Sequence, residues 1–96
     1  MELEQLRIFA AVARERSFTK GGRRLYLSHS TASRAVSALE EELGVTLLER
    51  SNRVLDLSPA GERLLAEAEE LLKRADALPA LLRQISADDS VGSNLL

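Results

Sequence analysis

The chain has 96 residues, the length of one small domain, and its 13 Lys and Arg residues against 15 Asp and Glu residues give a formal net charge of −2. Hydrophobic residues make up 45% of the chain and aromatic residues only 3%, so aliphatic side chains must build the core. The absence of cysteine excludes disulfides, zinc fingers and thiol nucleophiles, and the single histidine, His29, excludes a multi-histidine metal site. No apolar run approaches the roughly 20 residues of a membrane span. These features indicate a soluble, cytoplasmic, mostly helical domain, for which we expect no cofactor, no metal and no membrane contact.

The charge is distributed unevenly along the chain. Residues 14–34 contain six basic residues and one acidic residue, whereas residues 62–89 contain four basic and seven acidic residues. Salt screens electrostatic fields beyond about 8–10 Å, so the local excess matters more than the net charge. A basic segment can be a solvated surface or a contact for an anionic partner, and the charge alone leaves both open.

The first part of the chain predicts two helices. Apolar residues at helical spacing indicate a first helix from residue 3 to about residue 16. Ser17 is a suitable N-cap for a short second helix that reaches about Tyr26. Gly21-Gly22 weakens this helix by about 1 kcal/mol per glycine relative to alanine. We therefore expect the glycines to allow close backbone packing against a neighbouring helix.

The third predicted helix, His29–Leu43, begins after the N-cap Ser28, ends at Gly44 and has two different faces. One face is apolar and indicates packing against the core; it consists of Ala32, Val36, Leu39 and Leu43. The other, about 120° away, has short polar side chains and one arginine, at His29, Ser30, Ser33, Arg34 and Ser37. An ordinary solvent face is richer in Glu and Lys, so this polar face is a candidate binding surface.

Residues 47–57 change to a period of two around Ser51-Asn52-Arg53, which predicts two short strands and a turn. A hairpin of this size is not stable alone, so it must lie on the helices.

Ser58-Pro59 then begins a long helix with apolar residues at heptad spacing. They are Leu64, Ala68, Leu71, Ala75, Leu78, Leu82 and Ile85. This spacing favours a contact with a second chain, and the alternative is packing onto the first helix of the same chain. Pro79 removes a backbone hydrogen bond, so we expect the helix to kink or end just before it.

Two helices joined by a short turn, with a small polar face on the second and a two-stranded wing after it, describe a winged helix-turn-helix. The major groove of DNA admits an α-helix, and Ser, Thr, His and Arg side chains can read its donors and acceptors. The N-terminus of the third helix can also attract a phosphate. No paired histidine and carboxylate lie near a serine and no phosphate-binding glycine loop occurs, so we expect no enzyme.

Short motifs follow one another without gaps over about residues 2–86. They are Ser17-Phe18-Thr19, Arg24-Leu25, Leu27-Ser28-His29-Ser30, Ala32-Ser33-Arg34, Ala38-Leu39-Glu40-Glu41-Glu42-Leu43-Gly44, Leu47-Leu48-Glu49-Arg50 and Leu57-Ser58-Pro59-Ala60-Gly61. Together they resemble the N-terminal DNA-binding domain of LysR-type transcriptional regulators. The resemblance implies a mostly α fold: a winged helix-turn-helix of three helices and a two-stranded wing, followed by a long linker and dimerisation helix.

The resemblance also implies the organisation of a longer bacterial protein. Residues 1–58 would be the DNA-binding domain, 59–86 the linker helix and 87–96 a linker to an effector-binding domain that is absent here. Members bind double-stranded DNA at interrupted dyad operators as homodimers, and a tetramer is possible for the full-length protein. A small-molecule effector would act only through the C-terminal domain.

By motif position, the resemblance implies base readout by His29, Ser30, Ser33 and Arg34 and a wing contact by Arg53. Backbone or wing contacts are expected from Ser17, Thr19, Lys20, Arg24, Ser28, Thr31, Ser37, Arg50 and Asn52. Dimer contacts are expected from Leu64, Leu65, Ala68, Leu71, Leu72, Ala75, Leu78 and Leu82.

The sequence departs from the family pattern at three places. The family usually has two alanines at Gly21-Gly22, glutamine at His29, and no proline at Pro79. The alternative function is a winged-helix protein-interaction module without specific DNA binding, which the net charge of −2 mildly favours.

Overall fold

A computed structural model describes residues 1–51 and 54–89 of the chain. Its elements, in chain order, are α1 (Leu3–Glu15), α2 (Phe18–Arg24), α3 (His29–Leu43), β1 (Leu48–Ser51), β2 (Val54–Leu57) and α4 (Pro59–Asp89). The predicted fold class, three helices and a two-stranded wing followed by a long helix, is confirmed. In the described part of the chain no helix is long and apolar enough to cross a membrane.

Serine N-caps begin three of the helices, as the sequence predicts. Ser17 Oγ accepts a hydrogen bond from the Lys20 amide at 3.0 Å and so begins α2. Ser28 Oγ accepts from the Thr31 amide at 3.1 Å and begins α3. Ser58 Oγ accepts from a backbone amide in the first turn of α4, that of Gly61, at 2.9 Å. Each cap satisfies an amide that the helix itself leaves unpaired.

The core lies between α1, α3 and the beginning of α4. Its largest fully buried side chains come from α1, α3 and the segment before β1: Phe9, Leu6, Leu39, Leu47, Val12 and Val36. The predicted apolar face of α3 is buried from Ala32 to Leu39, but Leu43 is 39% exposed and does not belong to the core. The core therefore ends one turn before α3 does.

Gly21 fixes the distance between α1 and α2. A Cβ at this position would lie 2.5 Å from Val12 Cα, a backbone atom that cannot move away without moving α1. The expected close packing of the glycine against a neighbouring helix is therefore confirmed. Gly22 instead faces the turn before α3, where a Cβ would lie 2.9 Å from the Leu27 carbonyl oxygen.

The hairpin is attached to the helices by polar contacts. Its strands are antiparallel, with Leu48 opposite Leu57. The Glu40 carboxylate on α3 accepts hydrogen bonds from the Leu47 amide at 2.7 Å and the Leu48 amide at 3.1 Å. An ion pair between Arg16 and Asp56 joins the end of α1 to β2. Leu47 and Leu48 are also buried in the core, and Leu55 and Leu57 pack against it. The apolar and polar contacts together hold a hairpin that is too small to be stable alone.

The first half of α4 packs against α1. Ala68 and Leu72 are buried in the core, and two ion pairs flank them. Arg14 Nε lies 2.8 Å from a Glu69 carboxylate oxygen, and an Arg7–Asp76 pair lies two turns further along α4.

Pro79 does not end α4: of the two expected outcomes, a kink or an end just before this residue, the structure excludes the end. The helix continues to Asp89, three residues beyond the predicted boundary at residue 86. Pro79 is exposed, and water can therefore bond the carbonyl that its missing N–H leaves unpaired. Residues 90–96 of the predicted linker lie outside the described residues.

Candidate nucleic-acid interface

The polar face of α3 is open to solvent. His29, Ser30, Arg34 and Ser37 are exposed, and Ser33 is half-buried at the edge of the same face. Within the described ranges, no ion pair or hydrogen bond engages the Arg34 guanidinium. A salt bridge from Arg34 to a glutamate on a neighbouring turn, the structural alternative to a DNA contact, is not formed in the described residues. All five donors of Arg34 are available to a ligand.

His29 is held in place by α2. Its Nδ1 atom lies 2.9 Å from Thr19 Oγ1, and its ring lies against Phe18 with 5.5 Å between the ring centroids and 52° between the ring planes. The guanidinium of Arg50, on β1, lies 4.6 Å from the Phe18 ring centroid. Phe18 thus connects the beginning of α3 to the wing. The cation–π contact gives Arg50 a structural role, while its exposed side chain stays accessible.

The hydroxyls of Ser17 and Ser28, which cap α2 and α3, already make hydrogen bonds within the chain. Ser28 Oγ, besides accepting from the Thr31 amide, donates to Thr31 Oγ1 at 3.0 Å. Ser17 Oγ accepts from the Lys20 amide. Because the Ser28 hydroxyl already donates its hydrogen to Thr31 Oγ1, the main role of Ser28 here is to cap α3. The Lys20 and Ser37 side chains are exposed and make no ion pair or hydrogen bond within residues 1–51 and 54–89.

Only part of the basic segment 14–34 faces a possible ligand. Arg14 and Arg16 pair with Glu69 and Asp56. Arg24, expected to contact the DNA backbone, instead pairs with Glu15 at 2.6 Å and lines a cavity beside α1 and α4. The ion pair joins the end of α2 to the end of α1. The DNA-backbone contact expected from Arg24 stays a prediction, since its side chain remains exposed in this ion pair.

Asn52 and Arg53, the expected wing contacts, lie outside the described residues. An open cavity of about 330 Å³ lies between the wing and the first residues of α2 and α3. Arg50 and His29 both line this cavity. Wing and α3 therefore form one continuous surface.

Phe18 is a structural link within this surface that the predicted site residues did not include. Its signal was available, because the chain has only two phenylalanines and Phe18 directly follows a helix cap. The positive φ of Tyr26, 61°, in the turn before α3 was also missed, since tyrosine is not a residue that predicts this conformation.

The predicted dimer residues of α4 fall into two groups. Ala68 and Leu72 are buried in the chain's own core, and Leu64 and Leu65 pack half-buried against it. The expectation that Ala68 and Leu72 contact a second chain is therefore wrong, because α1 already covers them. The alternative of packing onto the first helix is correct for this part of α4.

The remaining apolar residues of α4 are not covered by the chain. Leu71, Leu78, Leu82 and Ile85 are about half exposed or more, between 48% and 63%. Leu71, Ala75 and Leu78 line an open groove of about 720 Å³. Leu3 and Leu81, absent from the predicted set, also line it, together with Ala77 and the charged residues Glu70, Lys73 and Arg74. We call the apolar residues of this set, including Leu82 and Ile85, the α4 apolar groove.

The chain matches known proteins over most of its length. The family model described as bacterial regulatory helix-turn-helix protein, lysR family, matches residues 3–62. A probable hydrogen peroxide-inducible genes activator of Streptomyces viridosporus is 54% identical over 76 residues, which are 79% of this chain and 24% of that protein. The HTH-type transcriptional regulator BenM of Acinetobacter baylyi is 39% identical over 91% of this chain and 29% of its own length. The chain thus spans less than a third of these two relatives.

Solved structures match the fold as well. A crystal structure of the BenM_DBD/catB site 1 DNA complex has a TM-score of 0.87 at 37% identity, over 98% of this chain and 100% of that chain. The CbnR_DBD–DNA complex has a TM-score of 0.83 at 37% identity, over 90% and 99% of the two chains. Full-length OxyR C199D from Pseudomonas aeruginosa has a TM-score of 0.82 at 36% identity, with 88% of this chain and 28% of that chain covered. On its sequence and its fold, this chain belongs to the LysR family of bacterial regulatory helix-turn-helix proteins.

Proposed function

We propose that this chain binds double-stranded DNA sequence-specifically as a homodimer and is the DNA-binding portion of a LysR-type transcriptional regulator. One observation carries the proposal: the exposed polar face of α3 stands beside the wing in a fold that matches the BenM_DBD/catB site 1 DNA complex over 98% of this chain. The function is binding without catalysis, in the cytoplasm. The relatives are named as transcriptional regulators, which supports it.

Base readout is assigned to the exposed polar face. Arg34, which has no partner in the described residues, can bond guanine O6 and N7 with two hydrogen bonds. Ser30 and Ser33 supply short donors and acceptors next to it, and His29 supplies a ring nitrogen. Base edges are read by such side chains, whereas phosphate contacts position the domain without reading sequence.

Backbone contacts are assigned to the residues that surround this face. Lys20 and Ser37 are exposed and without a partner in the described residues. Thr19 is exposed beside His29, and Arg50 is exposed on the wing beside Phe18. Asn52 and Arg53, in the turn of the wing, stay predictions from the sequence. Ser17, Ser28 and Thr31, at the starts of α2 and α3, stay predicted backbone contacts from the sequence; Ser17 and Ser28 also cap the two helices.

Dimerisation is assigned to the α4 apolar groove. Monomeric proteins rarely leave several large aliphatic side chains together in water, and a second α4 would cover them. Two chains would then present two α3 helices to an interrupted dyad operator, and a full-length protein could associate further into a tetramer. An effector would act through the remainder of a longer protein. Within this chain, residues 1–58 form the DNA-binding domain and α4, Pro59–Asp89, is the dimerisation helix.

The same groove supports the alternative function, a protein-interaction module without specific DNA binding. The two functions differ in their dependence on salt. Each phosphate that a basic side chain neutralises releases counterions, so the logarithm of the DNA affinity falls linearly with the logarithm of the salt concentration.

Titration of a labelled random duplex with the chain at several salt concentrations tests the proposal. We expect binding that weakens steeply as salt is raised, and tighter binding to an enriched duplex than to the random one. Arg34→Ala should reduce this difference, and Arg83→Ala, an equal charge change on the exposed part of α4, is the control that should not. Absence of binding at low salt contradicts the proposal and favours the interaction module.

A further inference from the structure

Two successive residues of α2 fix the imidazole of His29. Thr19 Oγ1 lies 2.9 Å from Nδ1, and the Phe18 ring lies 5.5 Å from the imidazole centroid. Arg50 covers the Phe18 ring from the wing at 4.6 Å, so this ring is held as well. His29 is exposed, yet its ring does not have the freedom of an ordinary exposed side chain. Nε2 is the ring nitrogen that is left for a ligand.

The hydrogen bond between Thr19 and His29 can run in either direction. A threonine hydroxyl donates one hydrogen bond and accepts two, and a neutral imidazole has one donor nitrogen and one acceptor nitrogen. Thr19 Oγ1 has no second partner in the described residues, so its hydrogen is available to an acceptor outside the protein. If that hydrogen is given away, Nδ1–H must donate to Thr19, and Nε2 becomes an acceptor.

We propose that Thr19 is a positioning residue that makes His29 Nε2 a hydrogen-bond acceptor in the DNA complex. Thr19 donates its hydroxyl hydrogen to a backbone phosphate oxygen, His29 Nδ1–H donates to Thr19, and Nε2 accepts from a base. Because phosphate oxygens only accept, the phosphate sets the direction of the whole chain of hydrogen bonds. The inference rests on the proposed DNA binding and makes it more specific.

The direction of this chain selects the base that His29 reads. In the major groove the exocyclic amino groups of adenine and cytosine are donors, whereas guanine N7 and O6 and thymine O4 are acceptors. An Nε2 atom without hydrogen pairs with an adenine or cytosine amino group and finds no donor on guanine or thymine. His29 therefore prefers adenine or cytosine at one position, and Thr19 is the source of that preference.

A set of duplexes that differ at one base pair measures the preference. Starting from an enriched duplex, the base pair read by His29 is the one at which His29→Ala loses discrimination. At that position we expect Thr19→Val to reduce the preference for adenine or cytosine about fivefold, the size of one neutral hydrogen bond. Thr19→Ser, which keeps the hydroxyl, should retain it. In the His29→Ala background, Thr19→Val should weaken all duplexes alike.

Lys20→Ala is the matched control for a neighbouring backbone contact, and it should weaken all duplexes equally. If Thr19→Val does the same and leaves the base preference intact, the inference is overturned while DNA binding stands. A duplex in which the amino group at the His29 position is removed, with purine for adenine or 2-pyrimidinone for cytosine, should lose the affinity that His29 contributes; unchanged affinity overturns the inference too, because Nε2 then does not accept from that group.

Nitrogen NMR gives a readout that is independent of affinity, since His29 is the only histidine of the chain. In the DNA complex we expect hydrogen on Nδ1 and none on Nε2, and hydrogen on Nε2 contradicts the inference. In the DNA-free domain, Thr19→Val should shift the His29 nitrogen resonances relative to Thr19→Ser. Unchanged resonances there overturn the Thr19–His29 contact. Absence of binding to any duplex would instead refute the proposed function.

Discussion

α3 and α4 are both amphipathic helices, but they differ in where their apolar residues go. The apolar residues of α3 from Ala32 to Leu39 are buried by α1 and the core of the same chain, and its polar face is left open. In α4 only the first half is covered in this way, at Ala68 and Leu72, and the second half leaves leucines in water. The polar face of α3 is therefore formed within one chain, whereas the exposed leucines of α4 are left uncovered by the described residues.

This difference assigns DNA contact to α3 and association of two chains to α4 in the proposed function. Burying a leucine contributes about 1.5–3 kcal/mol, so the half-exposed residues of the α4 apolar groove still offer stabilisation to whatever covers them. A second copy of α4 gains it and brings a second α3 with it. The affinity of the pair for two half-sites then exceeds that of one domain by the gain in effective concentration.

Leu78→Glu should have the largest effect on operator binding. It places a charge in the α4 apolar groove, so the dimer should dissociate and operator affinity should fall about 100-fold, the loss of bivalent binding. Leu78 is 52% exposed and outside the core, so the monomer should stay folded. Circular dichroism, sedimentation and operator titration measure the three properties.

Ala80→Glu is the control for this substitution. It adds the same charge two residues away, on the opposite side of α4 from Leu71 at about 100° per residue. We expect a dimer with unchanged affinity. A Leu78→Glu variant that still sediments as a dimer, or an unmodified chain that is monomeric at high micromolar concentration, contradicts the assignment of the groove.

Arg34→Ala should have the next largest effect. It should change DNA binding by α3 and leave the association of the chains through α4 unchanged. A bidentate contact to a base contributes about 1–3 kcal/mol of discrimination, so binding to an enriched duplex should fall about tenfold. Binding to a random duplex should fall much less, and sedimentation should be unchanged. Ser33→Ala should act in the same direction. Equal losses on both duplexes would show that these side chains contact only phosphate.

Tyr26→Gly should stabilise the turn that positions α3 by about 1 kcal/mol, because a left-handed backbone costs a non-glycine residue about this much. Tyr26 has φ 61° and is 97% exposed, so the substitution removes strain and loses no packing. Gly44→Ala, at the other end of α3, should destabilise by a similar amount, since Gly44 has φ 73°. Urea unfolding measures both, and a less stable Tyr26→Gly variant would show that the tyrosine ring contributes to the fold.

The smallest effect concerns the attachment of α4 to α1 in acid. The hydrogen bond from Arg7 to Asp76, at 2.6 Å, lowers the pKa of Asp76 below its ordinary value. A carboxyl with a lowered folded pKa stabilises the fold above its unfolded pKa of about 3.9, and this contribution disappears as pH falls through the folded pKa. The free energy of unfolding of Asp76→Asn should therefore be lower than that of the unmodified chain at neutral pH, and the two values should converge in acid.

Glu70→Gln is the comparison for this pH dependence, because Glu70 is exposed and pairs with nothing in the described residues. Its unfolding curve should stay close to that of the unmodified chain. Equal pH dependence for Asp76→Asn and the unmodified chain would show that the ion pair does not stabilise the α1–α4 contact.

The sequence predicted those features that depend on local signals. The serine caps at Ser17, Ser28 and Ser58, the end of α3 at Gly44 and the open polar face of α3 follow from short-range chemistry and helical period. The close packing at Gly21 could be anticipated because glycine is costly in a helix unless contact requires it.

Features that depend on how the helices pack against one another could not be predicted from local signals. Heptad spacing shows that Ala68, Leu71 and Leu78 share a face of α4, but not that α1 covers the first and leaves the others. A basic segment does not reveal that Arg24 turns to Glu15 while Arg34 stays open. The contact between Thr19 and His29 depends on how α2 and α3 cross, which no local pattern specifies.

Selection of bound duplexes from a random pool by the unmodified chain is the most direct test of DNA binding by paired α3 helices. We predict enrichment of an inverted repeat, with two half-sites at a fixed spacing, because two α3 helices related by the dimer axis read the two halves. Enrichment of a single half-site without its repeat would contradict the dimer, and a pool without enrichment would contradict sequence-specific binding.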